Sequence, residues 1–159
     1  MMKTAFALAM ALGLGLVAQK ASAATDSYTL RGNSCTSITS GITGLYGQYG
    51  ISPPSTTAIN VTCPIILPQK AYTQFDLSIW AYSRSTPDKV ACTIATTDYG
   101  GSNYTSATAA VTLNQANSQN ATTTLYPSGG DEMYITCHIP GSTGSGPSYL
   151  TLIDFSATY

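Results

Sequence analysis

The sequence predicts an all-β protein: an antiparallel two-sheet β-sandwich, jelly-roll or Ig-like, stapled by two disulfides. Three observations predict it. Cys63, Cys92 and Cys137 each belong to a run in which every second residue is apolar: Ile59-Val61-Cys63, Val90-Cys92-Ile94 and Ile135-Cys137-Ile139. That alternation is the mark of a strand with one buried face, and it puts the thiols on the buried side. Almost every segment beyond residue 23 is short, β-branched and ended by Gly, Pro, Asn or Ser. The cysteine count is even, four in all with Cys35, and it follows an export leader, which points to disulfides.

The leader comes first. Met1-Met2-Lys3 is a short basic start, residues 4–18 are apolar or small, and Ala21-Ser22-Ala23 supplies the small-x-small cleavage site of a signal peptide. The apolar stretch is too short to span a bilayer, so no integral membrane segment is expected after cleavage. Cleavage after Ala23 leaves residues 24–159 as one domain, secreted to a periplasm, a cell surface or the medium.

Within that domain, strands are expected at 27–31, 59–66, 73–82, 90–97, 107–113, 122–126, 133–139 and 149–158. Turn signals separate them, among them Ser52-Pro53-Pro54, Thr86-Pro87-Asp88, Gly100-Gly101-Ser102-Asn103 and Pro127-Ser128-Gly129-Gly130. In the 73–82 strand Phe75, Leu77, Ile79 and Ala81 form the core face; Gln74, Asp76, Ser78, Trp80 and Tyr82 form the other. Met133, Ile135, Cys137 and Ile139 point inward, and Tyr134, Thr136 and His138 outward. In the last strand Ile153, Phe155 and Tyr159 have one parity and Leu150 and Leu152 the other, which a bulge near Asp154 would reconcile. Four cysteines allow three pairings. Cys35–Cys63 and Cys92–Cys137 are preferred because each closes the nearest loop between neighbouring expected strands, with the sulfurs lying between the two layers and locking them together.

Charge narrows the partners. The mature chain keeps Arg31, Lys70, Arg84 and Lys89 against seven acids, a formal charge of −3. Nucleic acid and anionic membranes need clustered Lys and Arg, so neither is expected. A weakly charged surface of Ser, Thr, Asn, Gln, Gly and Tyr leaves self-association or a glycan as the partners to consider.

Catalytic and metal chemistry find little to work with. His138 is the one histidine, and no Gly-x-Ser-x-Gly elbow is present; Gly144-Ser145-Gly146 lies in a glycine-rich loop. Glu132, beside Asp131, is the one glutamate, which suits a solvated turn better than a facing carboxylate pair. Asp98 with Asn103 is too sparse for a calcium loop, and the thiols lack Cys-x-x-Cys spacing, so no catalytic residue, metal or cofactor is expected. Asn-x-Thr sequons stand at Asn60, Asn103 and Asn120. The candidate ligand face is Trp80, Tyr82 and Arg84, two rings and a planar guanidinium on one outward face, suited to stacking on a sugar.

Tyr49-Gly50-Ile51-Ser52, Val61-Thr62-Cys63-Pro64, Ser83-Arg84-Ser85, Val90-Ala91-Cys92-Thr93-Ile94 and Tyr134-Ile135-Thr136-Cys137-His138-Ile139-Pro140 together resemble a group of small secreted bacterial proteins with four cysteines in these contexts. The resemblance implies a β-sandwich and carries no activity. The stretch from Cys35 through Gly44-Leu45-Tyr46-Gly47-Gln48-Tyr49 to Asn60-Val61-Thr62-Cys63 is similar to the disulfide loop of spore-coat-U-like chaperone–usher pilins, incomplete sandwiches that accept a neighbour's strand. The reading that results is a secreted or cell-surface β-sandwich without catalytic activity, in a structural or adhesive role. A pilin-like fibre subunit and a carbohydrate-binding module are the alternatives.

Overall fold

The computed structural model describes residues 23–68, 70–83, 89–97, 104–111, 119–127, 132–141 and 146–159. Apart from Ala23, the expected leader lies outside them. Eleven strands are described: β1 (Thr25–Arg31), β2 (Thr36–Ser37), β3 (Leu45–Gly47), β4 (Gly50–Ser52), β5 (Ile59–Cys63), β6 (Gln74–Tyr82), β7 (Val90–Thr97), β8 (Tyr104–Val111), β9 (Gln119–Leu125), β10 (Glu132–Ile139) and β11 (Tyr149–Thr158). A single 3-10 turn, Gly32–Ser34, links β1 to β2. The expected strands all form, with shifted ends. β5 stops at Cys63 because Pro64 cannot donate to the ladder. Among the described residues no helix is long and apolar enough to cross a membrane.

The strands make two antiparallel sheets. The first runs β3-β4-β11-β6-β9, with β1 also on β11; the second runs β2-β5-β10-β7-β8. Alternation places the core between them. Phe75, Leu77, Ile79 and Ala81 of β6 are buried, as are Ile59, Val61, Val90, Ile94, Ile135 and Ile139 of the facing sheet. Phe155 stacks on Phe75 with ring centroids 5.6 Å apart.

Strand β11 is the hub of the first sheet. One edge pairs with β6 along the strand, and the other is shared by β1, opposite residues 152–158, and β4, opposite Leu150. The register shifts between Leu150 and Leu152, so Leu150 and Ile153 both face the core while Leu152 turns outward opposite Trp80. The expected bulge near Asp154 is therefore present but three residues earlier, at the place where β1 hands over to β4. The handover is tight: a Cβ on Gly32 would lie 1.8 Å from the Leu150 carbonyl oxygen, and one on Gly50 1.9 Å from the same atom.

Both disulfides form as preferred, Cys35–Cys63 and Cys92–Cys137, and no described cysteine is free. Their role differs from the expectation. Cys92 and Cys137 are directly opposed on β7 and β10, and Cys35 reaches β5, so each bond ties neighbours of the second sheet rather than one layer to the other. The sulfurs do lie in the buried layer, and Cys63 Sγ sits 4.0 Å from Cys137 Sγ.

Ala24, just before β1, meets Tyr159, just after β11. The Ala24 N–H donates to the Tyr159 carbonyl (3.1 Å) and the Tyr159 N–H to the Ala24 carbonyl (2.9 Å). Lys70 Nζ clasps this corner, 2.9 Å from Asp26 Oδ2 and 3.5 Å from the Tyr159 ring centroid. Tyr159 and then Asp26 hold the ammonium above its usual range. Strand β1 thus fills its place in its own domain, paired over seven residues with β11.

Candidate functional site

Outward-facing residues of the first sheet align in rows because the registers of β1, β11, β6 and β9 match. One row reads Ser27, Ser156, Asp76, Thr124; the next Thr29, Asp154, Ser78, Thr122; the third Arg31, Leu152, Trp80, Asn120. Beyond them Tyr149 opposes Tyr82, and Tyr49, from the β3–β4 turn, stands edge-on to Tyr149 at 6.0 Å. From Gln74 to Tyr82 the face is about 27 Å long at a strand rise of about 3.4 Å per residue.

This face has two halves. At one end are four aromatic rings, of which Trp80 and Tyr49 are exposed and Tyr82 and Tyr149 half-buried. At the other the sheet is hollowed into an open depression of about 540 Å³, lined by Ser27, Asp76, Ser78, Thr122, Thr124 and Asp154 among others. Its polar groups are knitted together. Thr29 Oγ1 donates to Asp154 Oδ1 (2.7 Å), and Thr124 Oγ1 donates to Asp76 Oδ1 (2.6 Å). Gln74 Nε2 donates to both oxygens of Asp76 (3.0 and 2.9 Å), and Ser78 Oγ donates to Asn120 Oδ1 (3.1 Å). Bonds to carboxylates are the stronger class, so these side chains are held in fixed orientations.

Of the residues singled out from sequence, Trp80 and Tyr82 lie on this face. Arg84 lies outside the described residues, so its place beside them is open. Asp98, Asn103, Asp131 and Ser145 also fall outside. Glu132 begins β10 and is exposed, and His138 Nδ1 lies 3.1 Å from Asn60 Oδ1. No group of three or more metal-ligating side chains occurs among the described residues. Sequence reasoning missed Tyr49 and Tyr149, which come from distant segments, and the joining of Asp76 with Asp154, which only the β6–β11 register brings about.

The second sheet's outward face differs. Thr36, Thr62, Thr136, Thr93 and Thr108 form one rung across it, with Thr93 and Thr108 hydroxyls 2.8 Å apart. Tyr134 sits at its end, its phenol pushed above the usual range by burial and then by its bond with Tyr104. A larger hollow of about 950 Å³ opens beneath the β5–β6 connection, lined by Ile65, Leu67, Phe75 and Met133 together with Lys70, Tyr72, Thr96 and Glu132. Its cation, Lys70, is already engaged by Asp26 and Tyr159.

No protein-family profile and no curated protein matches the chain. Solved structures resemble it in fold, and two of them show how. One is the enzymatically active domain of bacteriophage CBA120 tailspike protein 4, with a TM-score of 0.51, 15% identity, and 85% of this chain covered against 19% of that one. The chain thus spans about a fifth of the tailspike domain. The other is the C-terminal CBM6 of LamC, a marine laminarinase from Zobellia galactanivorans, with a TM-score of 0.51, 12% identity, and 82% of this chain covered against 98% of that one. At such identities the likeness is one of architecture: this chain is an all-β sandwich of the size of a single CBM6 module.

Proposed function

We propose that the protein is a non-catalytic carbohydrate-binding sandwich that takes an oligosaccharide along the outward face of its first sheet. One observation carries the reading: on that face an aromatic end and a hydroxyl- and carboxylate-lined depression are continuous. A sugar has both characters. Its C–H faces carry partial positive charge and match the negative face of an aromatic ring, while its hydroxyls need fixed partners once water is displaced. A mostly apolar platform with a few converging polar groups is the usual makeup of a small-ligand site. The architecture shared with a CBM6, a carbohydrate-binding module, supports the reading, and the two disulfides suit an oxidising, extracellular setting. The adhesive role expected from sequence then becomes adhesion to glycan. The in-domain pairing of β1 with β11 speaks against a fibre subunit built by strand exchange.

Trp80 is the ring to test, because it is 39% exposed and lies outside the core cluster. Trp80→Ala should weaken glycan binding about tenfold or more, as loss of a central aromatic contact costs about 2 kcal/mol. Its melting temperature should stay within about 2 °C, since exposed positions contribute little to stability. Affinity electrophoresis through gels cast with different polysaccharides, with insoluble-glycan pull-down beside it, reads the change. A wild-type protein retained by no glycan in a broad panel overturns the reading.

A further inference from the structure

We infer that the glycan is a neutral one, rich in hydroxyl donors, and that Asp154 is the residue that selects it by accepting a sugar hydroxyl. This rests on the glycan-binding reading above and adds the ligand's charge class.

The argument is a proton inventory of the depression. A hydroxyl has one proton and two lone pairs, and an ionised carboxylate only accepts. Thr29, Thr124 and Ser78 have each spent their proton inside the protein, on Asp154, Asp76 and Asn120 respectively. What these three hydroxyls have left to offer a ligand is lone pairs. Asp76 is engaged at both oxygens, by Gln74 and Thr124. Asp154 is engaged at Oδ1 alone, and Oδ2 takes no hydrogen bond from a described residue. Ser27, Ser156 and Thr122 line the same depression with no hydrogen bond to a described residue, so the polar half offers hydroxyls of both characters around one open carboxylate oxygen at its middle row.

The open oxygen of Asp154 calls for a ligand that brings a donor. A sugar hydroxyl donates to Asp154 Oδ2 and to the hydroxyl lone pairs beside it. A uronate or a sulfate brings negative charge to the same place, where it meets the carboxylates of Asp76 and Asp154 and leaves Asp154 Oδ2 without a donor; an unmade hydrogen bond at a desolvated site costs more than a made one gains. The described cations do not offset this. Among the described residues the one on this face is Arg31, in the Trp80 row beyond Thr29, and Lys70 is held by Asp26 and Tyr159.

The test uses the mature chain in affinity electrophoresis against neutral glucans, mannans, xylans and galactans, a polyuronate, and a sulfated galactan. Neutral polymers should retard the wild type, and the two anionic ones should bind at least tenfold more weakly. Asp154→Asn turns one acceptor into a donor at constant shape and keeps the Thr29 bond at Oδ1. It should lose roughly tenfold in affinity for the neutral polymer, as a bond to a charged group is worth about that much, with an unchanged melting curve. Equal or tighter binding of an anionic polymer overturns the inference, and so does an Asp154→Asn variant that binds like wild type; in both cases a Trp80-dependent signal leaves glycan binding itself standing. Retention by no glycan removes both.

Discussion

Gly32→Ala is expected to destabilise the fold by about 3 kcal/mol or more, the upper range for forcing atoms into a packed site. The added carbon would sit 1.8 Å from the carbonyl oxygen of Leu150 and 2.7 Å from its carbonyl carbon. Those are backbone atoms of the hub strand, so no rotamer change relieves them. The 3-10 turn must lift away from β11, or β11 must move from β6. Gly50→Ala meets the same oxygen at 1.9 Å and also has a φ of 112°, which a side chain rarely adopts, so it should be at least as harmful. Gly47→Ala is the control, because its added carbon meets nothing within 4 Å. Thermal melting followed by circular dichroism decides it. Gly32→Ala should drop the midpoint by about 10 °C or more for a domain of this size, and a drop under about 2 °C would contradict the close packing described.

Removing the Cys92–Cys137 bond should have an effect of similar size. The bond closes a sequence separation of 45 residues, for which the chain-entropy relation gives about 4 kcal/mol; the 28-residue separation of Cys35–Cys63 gives about 3.5 kcal/mol. Either is a large share of the 5–15 kcal/mol that holds a typical domain together. The variant must be the double one, Cys92→Ala with Cys137→Ala. A single Cys92→Ala leaves the Cys137 sulfur 4.0 Å from Cys63, within reach of the other bond, and exchange would blur the result. Urea unfolding without reductant should show a clearly lower midpoint for the double variant. A midpoint equal to wild type would mean that β7–β10 pairing alone fixes the second sheet.

Both predictions draw on parts of the molecule that differ in how far the sequence reveals them. The cysteine strands and β6 are legible because a period of two runs through five or more residues, and burial of one face enforces it. The strands β2, β3 and β4 are two or three residues long, too short to hold any period, and they exist because β5 and β11 supply partners. The parity break before Ile153 announces a bulge, but its position at Thr151 is set by which strands flank β11, a fact of topology. The site divides the same way. Trp80 and Tyr82 can be assigned to the outward face of β6 by counting. Tyr149 and Asp154 reach that face only through the register with β6, and Tyr49 only through the β3–β4 turn.

The position of β11 also bears on when the protein can fold. The strand that every member of the first sheet leans on, directly or through β6 or β4, spans residues 149–158, downstream of all the others. Until it arrives, β1 and β6 have no shared neighbour, and β1 must wait for a partner more than a hundred positions downstream. Such distant pairing is slow to form, because the chain loses the entropy of a long loop before it gains the contacts. The first sheet therefore sets only once β11 is present; a version ending at residue 148 should remain protease-sensitive with both thiol pairs exposed to alkylation.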